Sequence, residues 1–308
     1  MPGAANQIFL ISSKVKLPAR AAYSGLLLLL IISSCFTYTA TAQRLVIKKY
    51  TVNDGLADSY ILSICQDSQG FLWVGTANGL SRFDGTAFIN YGYAEGLPNL
   101  VVDAIYEDHQ KRLWAGTRRG IVQIKNNGCI VYPASDHQVI TFVFDIKELS
   151  NHDLVACTDK GLYRFNGTEW EKEPAYPGLE NHHCRNIVEH NNSLLINYGD
   201  YLVRKDKNNQ FHLLDKQIKE TWYNIVARYN NRLYINAFHS LYQWQSPADT
   251  IPLFQKSLNN KIVSCFFRDS RGRFWINTRQ DGLLVSAPNN TNRILDTIAV
   301  AYNMICRV

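Results

Sequence analysis

Short apolar segments alternate with polar turns along most of the chain. In one stretch, residues 60–66, 71–76, 80–83 and 87–91 are rich in β-branched and aromatic side chains, a composition typical of strands. Asp84-Gly85, between the last two segments, is a strong signal for a two-residue hairpin turn. No copy of this pattern contains an amphipathic run of helical length. The pattern therefore predicts an all-β fold of short antiparallel strands and excludes a βαβ solenoid.

The four-segment pattern belongs to an internal repeat built on an Asp-x-x-Gly-x-x-Trp-x-Gly-Thr motif. Three decayed copies lie between well-preserved ones and place Val155, Leu195 and Tyr234 at the Trp position. Successive Trp positions are 39 to 41 residues apart through six copies. The motif residues are Asp67, Gly70, Trp73, Gly75 and Thr76 in the first copy, Asp108, Trp114, Gly116 and Thr117 in the second, and Asp269, Gly272 and Trp275 in the sixth.

Four short strands in each repeat of this length are the signature of a β-propeller blade. Radial closure of such sheets also protects their edges. The sequence therefore predicts a β-propeller with six complete four-stranded antiparallel blades. Residues 303–308 resemble the first strand of another blade, so we expect a truncated propeller that stops at the start of a seventh. The alternative is that this last strand closes the ring against residues 44–50.

The N-terminal segment has the order of a secretory signal. Lys14, Lys16 and Arg20 precede the apolar run 26–32, and Ala40-Thr41-Ala42 forms a cleavage box. The apolar run is far shorter than the ~20 residues of a membrane-spanning helix. We therefore expect a signal peptide over residues 1–42, a propeller sensor domain over 43–308, and an exported protein. The alternative is a lipid anchor on Cys35, which follows a second short box.

Net charge and cysteine content bear on which partners and which covalent bonds the protein can have. The formal charge of +6 is too small and too dispersed to indicate a nucleic-acid partner. Seven cysteines are scattered, and most fall within apolar runs. An exported chain can form disulfides, but this spacing favours buried free thiols.

The repeat resembles a known family. The Asp-x-x-Gly-x-Leu-Trp-x-Gly-Thr motif, followed by Arg82-Phe83-Asp84-Gly85 and Gly96-Leu97-Pro98, is similar to the two-component regulator propeller repeat. The resemblance implies the periplasmic sensor region of Bacteroidetes hybrid two-component systems and sensor histidine kinases. Members of that family continue into a transmembrane helix and a kinase, whereas this chain has none of those parts. The resemblance therefore implies ligand sensing without an output domain, with an oligosaccharide as the expected ligand.

Two apparent sites are better explained by structure than by chemistry. Asp67 and its equivalents are spaced unlike the Asp-box of propeller glycosidases, and we expect a local turn bond. His182 and Cys184 share one strand face, but no third metal ligand is evident near them. The sequence therefore predicts no catalytic residue, no metal site and no cofactor.

The turns between the second and third strands of each blade offer a candidate ligand site. Strand alternation places them on the same face as the loops between blades, where propellers commonly bind ligands. The basic residues at these turns, the candidate ligand-binding set, are Arg118, Arg119, Lys160, His239 and Arg279. Such side chains can bind sugar hydroxyls or anionic groups, although surface turns are polar in any protein.

The motifs thus favour a propeller without catalytic residues, and the resemblance implies a periplasmic sensor that recognises a carbohydrate-derived ligand. Two alternatives belong to other classes. A propeller glycan lyase or hydrolase needs a clustered acid and base on the ligand face, and a protein-interaction scaffold uses the disc face or rim. Self-association and a sensor-kinase partner are further expectations.

Overall fold

A computed structural model describes residues 48–125, 128–215, 225–229, 232–237, 240–246, 249–259, 261–278, 281–290 and 294–298. The described residues from Tyr50 onwards belong to one compact unit. The predicted signal peptide, its alternative lipid site at Cys35 and the predicted seventh-blade strand all lie outside the described residues.

The described residues contain 24 strands and one short 3-10 turn, Val52–Asp54. Blades 1 to 3 comprise β1 (Ile61–Gln66), β2 (Leu72–Thr76), β3 (Gly79–Phe83), β4 (Phe88–Tyr91); β5 (Val102–Glu107), β6 (Leu113–Thr117), β7 (Gly120–Lys125), β8 (Gly128–Tyr132); β9 (Val143–Glu148), β10 (Leu154–Thr158), β11 (Gly161–Phe165), β12 (Trp170–Lys172). Blades 4 to 6 comprise β13 (Asn186–His190), β14 (Ser193–Tyr198), β15 (Tyr201–Lys205), β16 (Phe211–Asp215); β17 (Ile225–Tyr229), β18 (Arg232–Ala237), β19 (Ser240–Ser246), β20 (Asp249–Leu253); β21 (Val263–Arg268), β22 (Phe274–Thr278), β23 (Gly282–Ser286), β24 (Ile294–Ile298).

Each group of four consecutive strands forms one antiparallel sheet in sequence order. The strands of a blade are called a, b, c and d, and the turns between them take their letters. Over the described residues, six such sheets form the ring of a β-propeller with almost no helix. The predicted all-β class, the blade as the repeat unit and the six blades are confirmed. The strand limits expected for the first blade agree with β1 to β4 within one residue.

The hydrophobic core lies between neighbouring blades. Trp73 of blade 1 packs with Val102 and Ala115 of blade 2, and Trp114 of blade 2 packs with Ala156 and Trp170 of blade 3. Similar buried clusters fill the following junctions up to blade 6. A blade alone cannot bury both its faces, so each sheet depends on its neighbour for stability.

Close packing at these junctions explains the small residue before the motif threonine. A Cβ atom added to Gly116 on strand b of blade 2 would lie 2.5 Å from the Cβ of Val143 on strand a of blade 3. In blade 1, a Cβ on Gly75 would lie 2.6 Å from the carbonyl oxygen of Val102. Neither distance is compatible with a side chain, so glycine sets the spacing between these blades.

Candidate ligand-binding face

The b–c turns are fixed by the motif threonine. In blade 2, Thr117 Oγ1 donates to the carbonyl oxygen of Gly120 at 2.9 Å and accepts from the backbone N–H of Arg119 at 3.2 Å. Thr76 and Thr158 make the same pair of bonds in blades 1 and 3. The threonine thus replaces the hydrogen bonds that the turn backbone lacks.

The b–c turns meet the loops that connect successive blades. The backbone N–H of Asp159, in the b–c turn of blade 3, donates to the carbonyl oxygen of Phe142 at 3.0 Å. Thr158, beside that turn, accepts through its carbonyl oxygen from the N–H of Cys184 at 2.9 Å. The d–a loops that contain Phe142 and Cys184 therefore lie on the same face as the b–c turns, as strand alternation requires.

Arg118 extends from the b–c turn of blade 2 towards blade 3. Its Nε atom lies 3.5 Å from a carboxylate oxygen of Asp103, which is 1% exposed. Its guanidinium group lies 5.2 Å from the ring centre of Phe142. About half of the Arg118 side chain remains exposed, so Arg118 is oriented by protein contacts and still open to a ligand.

Aromatic rings continue this row across blade 3 to blade 4. The rings of Phe142 and Phe144 are 4.6 Å apart, and Phe144 lies 5.7 Å from the imidazole of His183. Arg185 Nε donates to His183 Nε2 at 3.0 Å, and its guanidinium lies 5.4 Å from Phe144. All four are partly buried. We call this row the ledge: partly buried aromatic rings between Arg118 at one end and Arg185 at the other.

His183 is uncharged at neutral pH. Burial lowers its pKa, and the positive charge of Arg185 lowers it further, against a smaller opposing effect of Asp200. A neutral ring also fits the geometry, because His183 Nε2 accepts a hydrogen bond from Arg185. The charge at this end of the ledge therefore resides on the guanidinium group.

Asp159 belongs to the framework of the face. Its carboxylate accepts from the N–H groups of Thr141 and Phe142 and from the Thr141 hydroxyl, at 2.6 to 3.0 Å. Burial alone would raise its pKa, but these bonds and the bond from Lys160 hold the pKa below its usual value. Lys160 Nζ lies 3.1 Å from the same carboxylate. Asp159 thus holds the d–a loop that carries Phe142 and also engages Lys160.

Three of the five residues expected to bind ligand lie on this face. Arg118 and Arg119 are exposed, and Lys160 is partly buried. His239 and Arg279 lie outside the described residues. Reasoning on turns alone missed the four members of the ledge in strand a and the d–a loops, namely Phe142, Phe144, His183 and Arg185. The alternation of Phe142 and Phe144 was the available signal, because residues two apart on a strand share a face.

The motif aspartates lie on the opposite face, in the a–b turns, and hold the tryptophans. Asp67 Oδ2 accepts from Trp73 Nε1 at 2.7 Å, while Oδ1 accepts from the backbone N–H groups of Gln69 and Phe71. The equivalent indole bonds in blades 2 and 6 are both 2.9 Å long. The expected local turn bond is present in all three blades, and the bond to the indole is an addition that sequence reasoning missed.

His182 and Cys184, the pair considered as metal ligands, each have a partner of their own. His182 packs edge-on against Tyr201. Cys184 is fully buried and hydrogen-bonded to Cys157, whose pKa is raised well above its usual value, first by burial and then by Cys184. The five cysteines in the described residues are free, and three of them are buried.

A cavity of about 400 Å³ lies on the a–b side of blade 6. Its walls include Tyr229, Arg268, Arg271 and Asn289. Arg268 Nη2 donates to the side-chain oxygen of Asn289 at 2.8 Å. The cavity is lined by arginines, but its lining residues come from one blade junction, that of blades 5 and 6. The ledge, by contrast, has residues from three blades.

Comparison with known proteins identifies the family of the repeat. The family model of the two component regulator propeller matches residues 55–78, 96–119 and 257–280. These segments coincide with the three best-preserved copies. The chain carries two-component regulator propeller repeats.

A histidine kinase, P4 of Formosa agariphila, is 46% identical to this chain over 52 residues, which is 17% of this chain and 4% of the kinase. The match is local and covers about one repeat. It supports the repeat family and leaves the rest of the kinase without a counterpart in the match.

Solved structures share the fold. The extracellular domain of a putative one component system from B. thetaiotaomicron is 18% identical, with a TM-score of 0.65 over 82% of this chain and 38% of that domain. The extracellular domain of a putative hybrid two component system from the same organism is 20% identical, with a TM-score of 0.63 over 77% of this chain and 35% of that domain. A catalytically inactive virginiamycin B lyase from Staphylococcus aureus is 14% identical, with a TM-score of 0.58 over 72% of this chain and 78% of the lyase. The chain thus spans little more than a third of the two B. thetaiotaomicron extracellular domains.

Among the helices in the described ranges, none has the length and apolar character needed to cross a bilayer.

Proposed function

We propose that this chain is the ligand-sensing propeller of a periplasmic signalling system and that it binds an acidic, carbohydrate-derived ligand without transforming it. The observation that carries the proposal is the ledge across blades 2 to 4. There Arg118 and Arg185 stand at either end of Phe142 and Phe144, within 5.2 to 5.4 Å of the rings.

The chemistry of the ledge suits a sugar with a carboxylate or a sulfate group. Ring faces and edges pack against the apolar C–H face of a pyranose. Arginine forms paired, charge-assisted hydrogen bonds with planar or tetrahedral oxyanions. Arg118 is already oriented by Asp103 and Arg185 by His183, so little side-chain freedom is lost when a ligand binds.

The position of the ledge suits sensing. It includes residues from three consecutive blades, so a ligand bound there contacts several sheets whose relative packing sets the shape of the ring. A ligand can shift a conformational equilibrium only through such differential contacts. Signal output would lie in parts of a longer protein or in a partner, since the related sensor domains are about three times the length matched here.

The test is binding of short acidic oligosaccharides, uronate-containing and sulfated, measured by isothermal titration calorimetry beside neutral oligosaccharides of equal length. Arg118→Ala and Phe144→Ala are each expected to weaken binding about tenfold or more, since each loses ~1–3 kcal/mol of charged or aromatic contact. Arg271→Ala is the matched control, because Arg271 is an exposed arginine on the opposite face.

The outcomes separate the alternatives. Binding that is lost in Arg271→Ala and kept in Arg118→Ala would move the site to the cavity of blade 6. Equal binding of neutral and acidic sugars would contradict the acidic ligand but keep the ledge. Failure of every sugar, together with capture of a polypeptide that Phe144→Ala abolishes, would favour the scaffold function.

A further inference from the structure

Three side chains with metal-binding atoms meet at the a–b side of the junction between blades 2 and 3. His109 lies in the a–b turn of blade 2, Glu148 ends strand β9, and His152 lies in the a–b turn of blade 3. The Nδ1 atoms of both histidines contact the same oxygen, Glu148 Oε1, with His152 at 2.8 Å. The two imidazole rings are 4.3 Å apart between centres. Nδ1, Nδ1 and the carboxylate oxygen all lie within 4.8 Å of one another.

Glu148 is a rigid member of this group. Its side chain is 8% exposed, and its second oxygen accepts from the backbone N–H of His109 at 2.8 Å. One carboxylate oxygen of Glu148 is therefore fixed by the backbone, and the other is directed at both imidazoles.

The neighbouring junctions make the same backbone contact without histidine. Glu107 accepts from the N–H and hydroxyl of Ser68 at the junction of blades 1 and 2. Glu189 accepts from the N–H and hydroxyl of Ser150 at the junction of blades 3 and 4. The glutamate is thus a general link between blades, and His109 occupies the position that serine takes elsewhere.

The second histidine is also specific to this junction. His152 has a φ of 67° and occupies the left-handed position of its a–b turn, where blades 1 and 6 have Gly70 and Gly272 and blade 2 has Lys111. From that position its ring reaches back four residues to Glu148. Only the junction of blades 2 and 3, among the described ones, combines both substitutions.

We propose that His109, Glu148 and His152 form a zinc-binding site that fastens blade 2 to blade 3. Two imidazole nitrogens and one carboxylate oxygen are a ligand set that Zn²⁺ prefers, with a water in the fourth position. The ion takes the place of the hydrogens that both Nδ1 atoms direct at the carboxylate. Each neutral imidazole then carries its proton on Nε2, on a ring that is partly exposed to solvent.

This site is separate from the proposed sensing function. It lies among the a–b turns, on the face opposite the ledge, and its ligands come from two blades. Its expected role is to fix the angle between these blades and to stabilise the fold, because an ion that binds only the folded state raises its stability.

The test uses the complete, tag-free protein and zinc chloride. Calorimetry is expected to show one zinc ion bound per chain, with a rise in melting temperature that a chelator reverses. His109→Ser and His152→Gly are the variants, because serine and glycine occupy these positions in the other blades and preserve the turn. Each should weaken zinc binding by more than the ~10- to 100-fold typical of losing an outer-shell partner.

His212→Ser is the control. His212 pairs with Asp206 at 2.9 Å on the same face, so it matches the chemistry of an isolated histidine–carboxylate pair. Its zinc affinity should equal that of the unmodified protein. The proposal is overturned if the unmodified protein binds no zinc, or if the combined His109→Ser and His152→Gly variant, folded by circular dichroism, binds zinc as tightly.

Discussion

Single aspartates fix both a turn and an indole in blades 1, 2 and 6. Asp108 shows the arrangement most completely. Its carboxylate accepts from the backbone N–H groups of Gln110 and Arg112, from Arg112 Nε and from Trp114 Nε1, at 2.6 to 3.0 Å. The residue is 3% exposed, and Trp114 is fully buried. The carboxylate therefore satisfies donors for which water is not available.

Replacing Asp108 with alanine is expected to lower the free energy of unfolding by about 2–4 kcal/mol, because buried donors lose their acceptor. Urea unfolding followed by tryptophan fluorescence measures the change. Asp84→Ala is the control. Asp84 accepts three similar bonds in an exposed hairpin turn, and its loss should cost distinctly less. Equal losses in the two variants would contradict a role for the buried indole bond.

Acid should weaken the same contacts. Burial alone would raise the pKa of Asp269, but bonds from Trp275 Nε1 and Arg273 lower it to about 2, against roughly 3.9 in an unfolded chain. A folded-state pKa below the unfolded one adds stability above about pH 4, and this contribution is lost as the pH falls towards 2.

Comparison of Asp269→Asn with the unmodified protein measures this effect. Urea midpoints are determined from about pH 5 down to pH 2. The two proteins should differ most at the upper end and converge as the pH falls. A difference that does not change across this range would show that the charge of Asp269 is not involved.

Some of these side-chain contacts could be predicted from the sequence. The spacing of Asp and Trp by six residues is visible in three copies, and the turn bond could be expected from the chemistry of aspartate. The indole bond depends on how strand b returns beside the turn, which the spacing does not specify. The glutamates that link neighbouring blades also recur at a regular spacing, because Glu107, Glu148 and Glu189 are 41 residues apart. Their hydrogen-bond partners lie in the preceding repeat, so the contacts could not be predicted from a local pattern.

At the scale of strands, the distance between neighbouring sheets decides which side chains fit. Gly116 on β6 faces Val143 on β9 across the blade junction, with no room for a Cβ atom. Gly116→Ala is therefore expected to destabilise the fold by about 1–3 kcal/mol through overpacking.

Gly92→Ala provides the control, because its added Cβ would meet Leu100 at an ordinary 3.6 Å. It should leave the urea midpoint nearly unchanged. Adding Val143→Ala to Gly116→Ala should restore part of the loss if overlap is the cause. A double variant that is less stable than the two single changes predict would exclude that explanation.

Strand assignment succeeded because each element carries its own signals. Segments rich in β-branched and aromatic residues, with Asn-Gly and Asp-Gly turns, specify strands locally, and the repeat period specifies their grouping. Contacts that cross blades, such as Arg118 with Phe142, join residues from different repeats. Their partners depend on the angle between sheets, which no local pattern contains.

For the whole molecule, the two faces of the described ring differ in construction. The a–b face is built from aspartate caps and glutamate links between blades. The opposite face presents the row from Arg118 to Arg185, supported by the threonine-fixed turns. Strand alternation predicted which turns and loops share this face, and three of its polar residues were named from the sequence; the aromatic row was missed because only the b–c turns were considered.

The proposed sensing function requires that the ligand stays intact. We expect the purified protein to release no new reducing ends and no unsaturated products from the acidic oligosaccharides used in the binding test. His183 is the one imidazole on the ledge and is uncharged at neutral pH, so His183→Ala is the diagnostic variant. Turnover that this variant abolishes would favour a lyase instead.

The left-handed position of the a–b turn has an evolutionary consequence. Gly70, Lys111, His152 and Gly272 occupy it in four blades, and in blades 1, 2 and 6 the aspartate carboxylate secures the same turn backbone. That bond pattern does not involve the side chain at the left-handed position, but any side chain there carries the cost of a left-handed backbone, and a Cβ on Gly272 would overlap with Asn289 Oδ1. Duplicated blades can therefore acquire new chemistry at this position one at a time, in those blades that accommodate the strain, as blades 2 and 3 do at Lys111 and His152.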